Sequence, residues 1–263
     1  MNILTTNKNN DRYFGVARVV VAFWLLGWFL KINFFSHYLF HEISAFPVVI
    51  DFFPSFFRSP ISAQFFYIYP LFVLPLFFRP QLFYFRFASF VMTASSAVLL
   101  LHQDTHNDAT FLTSFWVAVW LSWFVHRMTA DDPMFDVHAR SLSLCVVAVI
   151  FLGGFTGKLT PEYWNGEVFA SIFLQQHYGL VGEWIRAHMS AEAIRFHFQW
   201  IAKMIILGEA FLVFAPFLPY RLVCVLGIPF MLGIALYTTW MIFSVLFCLI
   251  GLLIAGLFLQ KDN

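Results

Sequence analysis

Lys158 closes an apolar run, just after Gly153-Gly154 and Gly157, and opens the stretch Leu159-Thr160-Pro161-Glu162-Tyr163-Trp164. A lysine at the rim of an apolar bundle loses hydration, binds its proton less tightly, and becomes usable as a base. The same lysine standing alone is an interfacial anchor. The run GGFTGK does not make a phosphate loop, because that motif needs Gly where Leu152 stands and Ser or Thr where Leu159 stands. Glu209 interrupts another apolar run between Gly208 and Ala210. A carboxylate at membrane depth is costly, which makes it a functional candidate or a neutral or paired group bonding a neighbouring helix. His102, Asp104, His106, Asn107 and Asp108 crowd one short connection, HQDTHND. Histidine accepts and donates near neutral pH, so the cluster suits proton handling, or else it is a solvated polar turn. His37 with His41, and His102 with His106, have the HxxxH spacing that on a helix presents two ligands to one metal. Because 102–108 reads as a turn, where that geometry fails, no metal is expected.

The elements that must carry these residues are membrane helices. The chain is 61% hydrophobic and 11% charged, with a mean hydropathy of +0.78. Soluble domains hold about 45–50% apolar and about 25% charged residues. Its 37 Phe suit a surface facing acyl chains. A net charge of +1 argues against nucleic acid, which needs clustered Lys and Arg. Cys145, Cys224 and Cys248 lie one per apolar run with no CxxC spacing, and read as small buried hydrophobes.

A span needs about 17–25 residues, and eight apolar runs qualify or nearly so: 14–34, 64–79, 82–101, 109–126, 141–158, 199–218, 221–238 and 239–259. The second contains Pro70 and Pro75 and is expected to kink. The last two are divided near Tyr237-Thr238-Thr239-Trp240, where amphipathic rings suit the headgroup level. No small-residue cleavage site follows the first run, so it reads as a retained span rather than a signal peptide. Arg18 and Lys31, near its ends, are expected to snorkel. The short loops on one face hold Arg79, Arg86, Arg127, Arg140 and Arg221, and basic short loops mark the cytoplasmic side. The reading is an all-α polytopic bundle of about eight spans in the cell or inner membrane. Residues 1–13 form a cytoplasmic tail, disordered over 1–10, 14–259 one transmembrane domain, and 260–263 a second cytoplasmic tail. Residues 35–63, 102–108 and 158–198 then fall on the outer face, the first and last as interfacial helices or re-entrant segments.

Taken in order, DRYFGVARVVVAFWLLGWF, GGFTGKLTPEYWNGEVF and FMLGIALYTTWMIFS resemble the HTTM family, the membrane domain shared with vitamin K-dependent gamma-carboxylase. The resemblance implies that Lys158 takes the place of the base that deprotonates a hydroquinone, with His106 assisting. Trp164, His102 and Asn107 would then lie along a quinone site. The late-span pattern begins with His in the family, and Met231 stands there instead. That departure, and the lack of a large luminal portion, weigh against a full carboxylase mechanism.

Three functions follow as expectations. One is quinol-linked chemistry at the outer face, carboxylase-like or oxidoreductive, using a quinone or hydroquinone and no metal. Another is a non-catalytic accessory, immunity or maturation protein that binds a peptide or protein through its outer loops. The third is a metal-dependent membrane oxidase built on His37, His41, His102 and His106. Transport fits less well, since charged residues within the spans are few and no internal repeat is evident.

Overall fold

The computed structural model describes residues 3–40, 60–78, 81–102, 109–130, 132–175, 180–237 and 244–260. Among them every regular element is helical. They are α1 (Ile3–Phe40), α2 (Pro60–Ile68) running into a 3-10 helix (Tyr69–Phe78), α3 (Leu82–His102), α4 (Ala109–Arg127) and α5 (Phe135–Gly157). After α5 come the short α6 (Pro161–Trp164), α7 (Glu167–Gln175) and α8 (Leu180–His188), and then α9 (Ala191–Val213). A 3-10 turn (Ala215–Phe217) leads to α10 (Tyr220–Tyr237) and α11 (Leu246–Phe258). Four helical stretches are long and apolar enough to cross a bilayer: Asp11–Leu30, Leu82–Leu100, Phe135–Gly157 and Ala191–Val213. Shorter apolar helices cover Gln64–Val73, Tyr220–Ala235 and Leu246–Phe258.

Several boundaries differ from expectation, each for a local reason. The polar N-terminal residues are helical from Ile3, because no Gly or Pro interrupts the chain before Gly15. The second run does not form one α-helix. It changes to 3-10 geometry at Tyr69-Pro70 and carries Pro75 within it, since a proline supplies no N–H and clashes with the preceding turn. The helix around Glu209 starts at Ala191, eight positions before the expected 199. Ser190 caps it by accepting from the Ala193 N–H. It ends at Val213, before Pro216 and Pro219. In the long C-terminal apolar stretch α10 ends at Tyr237 and α11 covers Leu246–Phe258; the division expected near 237–240 falls largely on 238–243, outside the described residues.

The core forms where α1 meets α4 and α11. Trp24 and Trp28 stack at 4.5 Å, and Trp28 stacks on Tyr67 at 5.2 Å. Buried indole N–H groups need acceptors. Trp24 donates to Ser114 O at 3.0 Å and Trp28 to Tyr67 O at 2.9 Å. At one end of the bundle, Arg12 of α1 pairs with Asp136 of α5 at 2.6 Å, and Tyr13 packs edge-on against Phe124 and Phe135. Outward-facing positions are strongly apolar: Phe83 is 72% exposed and Val225 67%, as expected of a surface solvated by lipid rather than water.

α5 and α9 run antiparallel. Gly154 lies against Glu209, and further along Ser143 lies against Tyr220, their oxygens 3.3 Å apart. The end of α5 is therefore level with Glu209. The part of α9 before Glu209, about 27 Å at about 1.5 Å per residue, rises past that end. The segment 161–175 packs against this rise, with Gly166 seated on the backbone of Phe198 and Gln199.

Candidate functional site

The residues of the site are brought together by the way α5 ends. Lys158 is the C-cap residue, its backbone N–H donating to Phe155 O, while the next N–H, of Leu159, donates to Thr156 O. Its side chain folds back over the last turn and donates to Gly154 O at 3.2 Å. A cation there complements the unpaired carbonyls of a helix C-terminus. The same ammonium group reaches across to α9 and meets Glu209 Oε1 at 2.9 Å. The Lys158 side chain is 20% exposed and that of Glu209 only 7%, so the pair lies inside the α5–α9 contact, beyond most of the screening that weakens surface pairs.

Glycine makes the approach possible. A Cβ at position 154 would stand 3.3 and 3.4 Å from the two Glu209 oxygens and 3.4 Å from Lys158 Nζ. At Gly153 and Gly157 a Cβ would meet nothing within 4 Å. Beyond Lys158 the chain turns sharply, with Pro161 at the first position of α6, where its missing N–H costs nothing. The turn returns Tyr163, whose ring centroid lies 5.9 Å from Lys158 Nζ. Burial first, and then the negative charge of Glu209, push the Tyr163 phenol above its ordinary range, so this hydroxyl stays protonated. Gly166 has φ 78°, a left-handed conformation that favours glycine. Its contact with α9 fixes the segment carrying Tyr163.

One oxygen of the pair is unspent. Glu209 Oε2 is buried and has no hydrogen-bond partner among the described residues. A buried acceptor left unpaired is unfavourable by about 1–3 kcal/mol, which makes this atom a natural point for a ligand hydroxyl or a water to donate. Chemically, the pair offers a cation that holds its counter-ion in place and a carboxylate oxygen ready to receive a proton.

The sequence candidates fare unequally. Lys158 and Glu209, considered apart at first, form one unit, and the reading of Glu209 as a paired glutamate bonding a neighbouring helix describes what is found. Trp164 is 43% exposed, and it is Tyr163 that stands beside Lys158. His106, Asn107 and His41 lie outside the described residues. His37 falls on α1 and His102 ends α3, with their side chains outside the described part. Met231, where the family pattern has His, is fully buried in the apolar core. Among the described residues no group of three or more His, Cys, Asp or Glu could hold a metal.

Sequence reasoning missed two residues here. Gly154 had a signal, since it lies four positions before Lys158 and so on the same helical face. Tyr163 had none that distinguished it from Trp164. A further polar pair, His197 Nε2 with Tyr237 Oη at 2.7 Å, joins α9 to α10, and it also passed unnoticed. Comparison of the chain with family models, curated proteins and solved structures finds no match.

Proposed function

We propose that this chain is a multi-pass membrane protein of about eight spans, HTTM-like, with both termini cytoplasmic and the Lys158–Glu209 pair near the outer boundary. In this reading the pair handles the proton of an acidic hydroxyl borne by a lipid-soluble molecule, a hydroquinone being the class the resemblance implies. The observation that carries it is the buried 2.9 Å pair with Glu209 Oε2 unpartnered.

The residues present suit such a ligand. Glu209 Oε2 is a spare acceptor for a hydroxyl, the Tyr163 ring offers an aromatic face near Lys158, and Gly153 and Gly157 leave open space along the last turn of α5. A hydroquinone would supply the acidic O–H. The chain supplies the proton acceptor. Lys158 already donates to two acceptors, as an ammonium does, so the basic function belongs to the pair rather than to Lys158 alone.

The test is binding of reduced naphthoquinone or ubiquinol by the purified chain in lipid nanodiscs. The expected results are binding by the parent, loss of turnover in Lys158→Ala, and weakened binding in Glu209→Gln. Turnover in Lys158→Ala equal to the parent would end the reading.

A second reading is favoured by the outer segment itself, where Trp184 on α8 is 58% exposed and stacks on His188. Here the pair only clamps α5 to α9, and the chain is a non-catalytic accessory, immunity or maturation protein binding a peptide or protein. Co-purification of a partner that depends on residues 158–198, without bound quinone, would select it.

A further inference from the structure

A cavity of about 450 Å³ opens between the end of α4 and the start of α5, at the Arg12–Asp136 end of the bundle. Its lining is Trp123, Arg127, His138, Ser141 and Leu142, and its volume falls within the range of about 300–1,000 Å³ usual for ligand sites. Asp132, in the connection between the two helices, gathers the basic side chains at one rim: its Oδ2 stands 3.4 Å from Arg127 and 3.8 Å from His138. Both distances exceed the about 2.7–2.9 Å of a close charge-assisted bond, so most donors of the guanidinium remain free. The other carboxylate oxygen accepts from the Met134 N–H at 2.9 Å. The Asp132 side chain is 20% exposed, against 54% for Arg127 and 55% for His138. The rim therefore presents N–H donors, with the acid withdrawn behind them.

The lining is sorted by depth. α4 runs toward this end of the bundle and α5 away from it, so Trp123 lies one turn inward of Arg127, and Leu142 one turn inward of His138. Each wall thus passes from a donor at the rim to an apolar group about 6 Å deeper, at about 1.5 Å per residue. Along α5, His138 is about 3 Å from Asp136, whose pair with Arg12 marks one edge of a bilayer core of about 30 Å. The donors therefore stand at headgroup depth, and Trp123 and Leu142 at the depth of the first acyl carbons. Trp123 is held there by stacking on Phe135 at 5.6 Å, an indole where membrane proteins concentrate them. Leu142 is exposed, which leaves the apolar floor open to lipid chains. A soluble anion would use the rim and leave the floor unfilled, and a cationic headgroup would meet Arg127 first. A lipid with an anionic headgroup satisfies rim and floor together.

We propose that this cavity binds one anionic phospholipid, its phosphate on the planar donors of Arg127 beside His138 and Ser141, and an acyl chain over Trp123 and Leu142. The site rests on the membrane reading of the chain and not on the chemistry of the Lys158–Glu209 pair. The full chain in detergent micelles would be titrated with short-chain phosphatidylglycerol and phosphatidylcholine, binding being read by native mass spectrometry. Phosphatidylglycerol is expected to bind about fivefold more tightly, the factor that one basic residue supplies toward anionic lipid. Arg127→Gln should remove that preference, and Arg127→Lys, which keeps the charge without the fork, should retain part of it. Leu142→Asn should weaken both lipids alike. Asp132→Asn takes the negative charge from the rim and should increase the preference, a gain that a misfolded chain would not give. Equal binding of the two lipids by the parent overturns the proposal, as does a preference unchanged in Arg127→Gln. Glycerophosphoglycerol competing as well as the intact lipid also overturns it, in favour of a soluble phosphate ester.

Discussion

A methyl group added at Gly154 would stand 3.3–3.4 Å from Lys158 Nζ and both Glu209 oxygens, at the tight edge of van der Waals contact, so the ion pair must give by a few tenths of an ångström. Gly154→Ala is therefore expected to loosen the ion pair and to lower the thermal unfolding midpoint in detergent. Gly153→Ala and Gly157→Ala meet open space and should be neutral or stabilising, by up to about 1 kcal/mol, because alanine is the better helix former. Three neighbouring glycines thus give a contrast that only the observed packing predicts, and equal effects at all three would contradict it. The pair itself gives a second comparison. Lys158→Met leaves a carboxylate buried without its counter-ion, a loss of about 3–5 kcal/mol at the fully buried limit. The double change Lys158→Met with Glu209→Leu removes both charges and should recover most of that loss. If the single variant unfolds at the parent's midpoint, the two side chains do not pair in the membrane.

At the scale of elements, the segment after Lys158 depends on one turn. Gly166→Ala places a Cβ 2.7 Å from the Gln199 nitrogen and the Phe198 carbonyl carbon, at φ 78°. Neither strain can be relieved by a side-chain rotation, since the clash is with backbone. Destabilisation of about 1–3 kcal/mol follows, together with faster proteolysis of 161–175. Helix existence was readable from apolar runs at nearly every element, because each run is long and charge marks most of its ends. Helix boundaries were less so. The early start of α9 depends on the Ser190 cap within a segment whose aromatic content suggested interfacial helices or a re-entrant segment. The meeting of Lys158 with Glu209 was not legible at all. It spans 51 positions, and the register between α5 and α9 is set by the short helices between them and by where α9 packs. Lys158 and Glu209 each stood out as a charge in an apolar context; what joins them is tertiary. The 102–108 cluster keeps only its sequence argument, as 103–108 lie outside the described residues.

For the whole molecule, the position of the pair relative to the bilayer follows from which end of α5 faces the cytoplasm. Arg12 with Asp136 marks one end, and Lys158 with Glu209 lies at the other, separated by about 33 Å of helix at about 1.5 Å per residue, close to a bilayer core of about 30 Å. The basic residues Arg127, Arg140 and Arg221 gather toward the Arg12 end: Arg127 contacts Asp132, Arg140 bonds the carbonyl of Asp136, and Arg221 bonds Gln260 near the C-terminus. Basic short loops stay on the cytoplasmic side, and in the proposed orientation the Lys158 end faces outward. Single cysteines test this directly once Cys145, which is exposed, and the buried Cys224 and Cys248 are replaced. Glu162→Cys, fully exposed beyond Lys158, should react with a membrane-impermeant maleimide added to intact cells. Pro133→Cys, exposed at the opposite end, should react only after the membrane is opened. The reverse pattern would turn the molecule over, and the pair would then face the cytoplasm.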